Sequence, residues 1–107
     1  MSKWTVCIHP LAEPEIKALP SDMRARFLRI AELLEAFGPA NVGMPHVRPL
    51  GDKLWEMRMS GRDGIARAIY AAVQGSTLVV LHAFVKKTRT TPQPAIATAR
   101  KRMETEK

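Results

Sequence analysis

The sequence predicts an α+β domain in which a strand and two helices lead into an antiparallel meander of three strands and a closing C-terminal helix. Three observations carry this. Apolar residues recur at alternating steps of four and three from Met23 to Phe37, the period of a helix lying on a sheet. Alternating or wholly apolar runs then follow at 54–59, 65–73 and 77–85, separated by turn residues at 60–64 and 74–76. Residues 92–103 are alanine-rich, with Pro94 near the start and Arg100, Lys101 and Arg102 at the end, where cations suit a helix dipole.

Each element has its own reason. Trp4, Val6 and Ile8 alternate with Lys3, Thr5 and Cys7 until His9 and Pro10 end the first strand. Leu11, Ile16 and Leu19 mark a short helix over 11–19 if Pro14 lies in its first turn. Ser21 is placed to cap the second helix, whose stripe is Met23, Phe27, Ile30, Leu34 and Phe37; Gly38 and Pro39 stop it. Residues 39–52 hold three prolines and two glycines without periodicity and read as a loop. In 54–59, Trp55, Met57 and Met59 share one face and Leu54, Glu56 and Arg58 the other. The run 77–85 is apolar at almost every position, as in a central strand covered on both faces. The helices are expected to pack on one face of this small sheet.

The 107 residues, 46% hydrophobic and 25% charged, suit a single globular domain spanning 1–107. The one cysteine, Cys7, excludes an internal disulfide and a Cys-rich zinc site, and is expected to be a packed thiol. No run reaches the length of a membrane span and the N-terminus lacks a signal-peptide core, so a cytoplasmic protein without membrane contact is expected.

The charge pattern narrows the function. No acidic residue lies between Asp63 and Glu104, whereas Arg67, Lys86, Lys87, Arg89, Arg100, Lys101 and Arg102 do. Cations fixed on strands position phosphates and stabilise charge developing on them, so the pattern points to a polyanion and to RNA chemistry. Cleavage by the 2′-hydroxyl needs a base for its proton, cations for the phosphate oxygens and an acid for the leaving oxygen. Arg58 and Arg67 fall on successive strands, with Lys86 and Lys87 at the end of the next and Arg89 just beyond.

Arg67 interrupts an apolar strand, where a guanidinium costs free energy unless it meets an anion. That anion is either a substrate phosphate or a structural partner, Glu56 or Asp63. In the first case Arg67→Ala abolishes function without unfolding the domain. Glu56 is either the salt-bridge partner of Arg58 or a proton acceptor, and Lys86 with Lys87 is either a phosphate contact or a charged strand end that discourages aggregation. His82 reads as a buried, hydrogen-bonded histidine and a weak RNA contact. His9 and His46 fall in loops, no metal-ligand spacing is present, and no cofactor is expected.

Three stretches carry a resemblance: Pro49-Leu50-Gly51-Asp52-Lys53-Leu54-Trp55-Glu56-Met57-Arg58, Ile65-Ala66-Arg67-Ala68-Ile69-Tyr70, and Leu81-His82-Ala83-Phe84-Val85-Lys86-Lys87-Thr88-Arg89-Thr90-Thr91-Pro92. Together they resemble the RelE/HigB-type toxins of bacterial toxin–antitoxin modules, in the phage-related branch of that superfamily. The resemblance implies a RelE-like fold, entry into the A site of the 70S ribosome, and metal-independent mRNA cleavage there leaving a 2′,3′-cyclic phosphate. It also implies a cognate helix-turn-helix antitoxin as partner. The positions matching the family's basic residues are Arg58, Arg67 and Lys87, with Lys86 beside them and Glu56 where another basic residue often stands. Several relatives place a tyrosine where this chain has Gln93 or Pro94, which leaves the acid and base unassigned. The alternative class is non-enzymatic: a ParE-like toxin that inhibits gyrase, or a simple nucleic-acid-binding module.

Overall fold

The computed structural model describes residues 4–42, 47–73, 75–86 and 91–106. Strand β1 (Thr5–Ile8) is followed by helices α1 (Glu13–Lys17) and α2 (Ser21–Phe37), strands β2 (Val47–Gly51), β3 (Leu54–Gly61), β4 (Gly64–Val73) and β5 (Thr77–Lys86), and helix α3 (Gln93–Met103). The strands form one sheet in the order β1-β5-β4-β3-β2. The meander β2 to β5 is antiparallel, whereas β1 joins β5 in parallel with Thr5 opposite Thr77 and Ile8 opposite Val80.

The expected loop over 39–52 is corrected by β2. Pro49 hides the strand in the sequence, but β2 is an edge strand, where a residue without an N–H is tolerated. Its two-residue connection to β3 has Asp52 at φ 52° and Lys53 at φ 69°, the paired positive angles of a type I′ hairpin.

The helices cover both faces of the sheet, not one. Ile16 of α1 and Met23, Phe27, Ile30 and Leu34 of α2 pack with Met57, Met59, Ala68, Tyr70 and Val80. On the opposite face Ala95 and Ala99 of α3 pack with Leu54, Ile69, Ala71, Val79 and Leu81. Strands apolar on both sides require this, because a single helical layer would leave Ile69, Val79 and Leu81 in water. The α2 stripe ends at Leu34, and Phe37 is 56% exposed. Ser21 is the first helical residue, with Pro20 at the cap; Asp22 instead accepts the Met23 N–H (2.9 Å) and the Arg62 N–H (2.7 Å), tying the β3–β4 turn to the helix.

At the other edge, α2 caps β1: the Glu35 carboxylate accepts the Val6 N–H at 2.9 Å and the Glu35 carbonyl accepts the Trp4 N–H at 3.3 Å. Strand-edge donors are thereby withdrawn from pairing with another chain. Cys7 is exposed on this edge strand, correcting the packed thiol expected from its apolar neighbours. Gly38 ends α2 at φ 80°, ψ 160°, a conformation confined to glycine, and a Cβ there would lie 2.7 Å from Trp4 Nε1. Gly38→Ala is expected to destabilise the fold by about 1–3 kcal/mol, read from urea denaturation midpoints. Among the described residues no helix is long and apolar enough to cross a membrane.

Candidate active site

The register brings four charged residues of three strands together on the α3 side of the sheet. Arg48 of β2 lies opposite Glu56 of β3, and Arg58 of β3 lies opposite Arg67 of β4. Glu56 and Arg58 are two residues apart on one strand and share a face. Arg67 therefore sits diagonally from Glu56, within reach of a long side chain. Its Nη1 donates to Glu56 Oε1 at 2.8 Å and to Oε2 at 2.9 Å. Thr91, just before α3, donates its hydroxyl to the same carboxylate at 2.9 and 2.5 Å. Arg48 Nε lies 3.5 Å from Glu56 Oε1. Glu56 and Arg67 are both 0% exposed.

Two guanidinium groups, those of Arg67 and Arg48, thus approach one carboxylate, with Arg58 on the same face. Like charges directly across two strands repel, and Glu56 compensates Arg67. Arg58, half-buried, has no carboxylate partner among the described residues, so its charge is the least compensated of the cluster.

The structure places the sequence-derived candidates as follows. Arg58, Arg67 and Glu56 are brought together. Of the two partners open to Arg67, the one present is the internal carboxylate Glu56, because a guanidinium wholly removed from water needs a fixed anion. Lys86 ends β5 with its backbone opposite Ile65. Lys87 and Arg89 lie outside the described residues, as does His46. Arg48 and Thr91 belong to the cluster but were not singled out by sequence: Arg48 lay in the apparent loop, and Thr91 carries no charge pattern.

His82 belongs to a second cluster, at a bulge where Ile69 pairs with His82 and Tyr70 with Val80, leaving Leu81 as the extra residue of β5. Arg102 Nη1 donates to the Leu81 carbonyl at 2.9 Å, and Glu15 Oε1 accepts the Ala83 N–H at 3.1 Å, so side chains satisfy what the bulge leaves unpaired. Glu15 also receives Arg102 at 2.9 and 3.0 Å and meets His82 Nδ1 at 3.0 Å. His82 packs its ring on Phe84, 5.1 Å between centroids. It works here as part of a clasp between α1, β5 and α3.

Burial pushes the Glu15 carboxyl up, but hydrogen bonds from Arg102, the Ala83 amide and His82, with the charge of His82, outweigh it and hold the group below its ordinary value. A carboxyl depressed in the folded state stabilises fully above its ordinary value of 4.5, and that contribution is lost as pH falls through the lower folded value. Glu15→Gln is therefore expected to destabilise at neutral pH, with the gap from the parent closing in acid. Urea midpoints of both proteins at neutral pH and at about pH 3 check this.

Comparison with known proteins fits this architecture. The sequence matches the family described as Phage derived protein Gp49-like (DUF891) over residues 14–104. No curated protein sequence matches. Among solved structures, a double arginine-to-alanine mutant of the E. coli toxin RelE in its free state is similar with a TM-score of 0.68 and 14% identity, over 95% of this chain and 99% of that one. The Pyrococcus horikoshii OT3 RelE–RelB complex gives 0.59 and 23% over 83% of this chain and 100% of that one. The Mycobacterium tuberculosis toxin–antitoxin complex RelBE2 gives 0.57 and 19% over 79% and 100%. The chain belongs to the phage-derived Gp49-like family, and its fold is that of the RelE structures it resembles.

Proposed function

We propose that this protein is the toxin of a toxin–antitoxin pair and an endoribonuclease that cleaves mRNA in the ribosomal A site. The observation that carries this is the unequal treatment of two facing arginines. Arg67 is bound to a carboxylate, while Arg58, directly opposite and half-buried, has none among the described residues. An uncompensated guanidinium beside an oriented carboxylate suits a phosphodiester flanked by a hydroxyl.

In this reading Glu56 accepts the proton of the ribose 2′-hydroxyl, the 2′-oxygen bonds to phosphorus, and the bond to the 5′-oxygen breaks, that oxygen taking a proton from water to leave as a 5′-hydroxyl beside a 2′,3′-cyclic phosphate. Arg58 holds the non-bridging oxygens. Arg67 is a positioning residue that fixes the Glu56 carboxylate. The Thr91 hydroxyl, already donating to Glu56, stands as the alcohol that the ribose replaces. Lys87, with Lys86 and Arg89 near it in sequence, supplies further positive charge. The antitoxin partner is proposed because two similar structures are toxin–antitoxin complexes.

The full burial of Glu56 and Arg67 favours a second reading, in which the pair is structural and the toxin acts by binding a protein such as gyrase. Induction in cells followed by primer extension separates them. New mRNA ends within translated codons support cleavage, whereas arrested growth with unchanged ends, accompanied by inhibited supercoiling, supports the binder.

A further inference from the structure

We infer that Arg48 of edge strand β2 is a second phosphate-binding residue of this site, using one edge of its guanidinium to orient Glu56 and the other to hold the RNA. The inference rests on the reading above. Arg48 Nε is buried, has no hydrogen-bond partner, and lies 3.5 Å from Glu56 Oε1, beyond a normal hydrogen bond. Yet the side chain as a whole is 35% exposed. The buried Nε lies toward the carboxylate, and the exposure belongs to other atoms of the side chain. A planar guanidinium can engage two anions in this manner, which a lysine ammonium cannot do with the same fixed geometry.

The register supplies the second half of the argument. Arg48 is opposite Glu56, and Arg58 is two residues along β3 on the same face, so the two arginines are diagonal cross-strand neighbours, with Cα atoms typically about 7–8 Å apart. That spacing lets two long side chains close on one phosphate from either side, above the carboxylate that both flank. Arg48 is on the outermost strand, where RNA can approach without displacing another element. The groups against Glu56 are Arg48 from β2, Arg67 from β4 and Thr91 ahead of α3, with Arg58 two residues along on its own strand.

The test is single-turnover cleavage of a short mRNA on programmed 70S ribosomes, with the protein in excess. Arg48→Ala is expected to raise the concentration for half-maximal rate about tenfold or more. Arg48→Lys is expected to recover only part of that affinity. A folded Arg48→Ala protein with the parental half-maximal concentration overturns the inference, even if its thermal stability has changed. Should the parent fail to cleave, the cleavage reading falls first. Anisotropy with an uncleavable 2′-deoxy-substituted RNA then decides whether Arg48 holds a phosphate: equal affinity with and without Arg48 rejects it, and a loss of about tenfold upholds the phosphate contact.

Discussion

Glu56→Ala is expected to destabilise the fold by about 3–5 kcal/mol, because it removes the carboxylate from a guanidinium that has no access to water. Against a typical domain stability of about 5–15 kcal/mol this is a large fraction, and partial unfolding at 37 °C follows. Arg67→Ala is expected to cost a similar amount by leaving the charge of Glu56 buried. The reading in which Arg67 meets a substrate phosphate expects Arg67→Ala to spare the fold; its full burial against Glu56 favours the costlier outcome. The joint replacement Glu56→Leu with Arg67→Met separates stability from chemistry. Swapping a buried ion pair for apolar residues of similar volume is often neutral or stabilising, by about 1–4 kcal/mol, so the double variant should approach or exceed the parent in urea denaturation. It should also be inactive on ribosomes.

Arg58→Ala has the opposite profile. Its side chain is half-buried, lies opposite another arginine, and carries no described ion pair, so stability should change by no more than about 0.5 kcal/mol. If it holds the phosphate as charge develops, the single-turnover rate should fall about 10²–10³-fold, the usual effect of removing one donor aimed at a transition state. Measured together, urea midpoint and cleavage rate assign Arg67 to orientation and Arg58 to substrate.

The fold was legible where periodicity is local. The stripe Met23, Phe27, Ile30 and Leu34, the alternation over 54–59 and the apolar run of β5 each predict an element that is present. β2 was not, since Pro49 removes a strand signal that only its edge position excuses. The site was half legible for a related reason. Residues 64–103 contain no acid, which in sequence suggests uncompensated cations, yet the acids arrive from earlier in the chain. Glu56 reaches Arg67, Glu15 reaches Arg102 and Asp52 reaches Arg100. Charge balance is settled in space, across separations of 11 to 87 residues. The role of His82 follows from a bulge, a register event that no spacing rule announces.

The central claim is that Arg58 and Glu56 act together on a ribose-phosphate. Its most direct test is the chemical identity of the ends formed when purified protein meets mRNA on 70S ribosomes without added metal, for the parent and for Arg58→Ala. A 2′,3′-cyclic phosphate at the A-site codon with the parent, and its near disappearance with folded Arg58→Ala, is the predicted result. Intact mRNA with the folded parent, or equal cleavage with Arg58→Ala, contradicts the account.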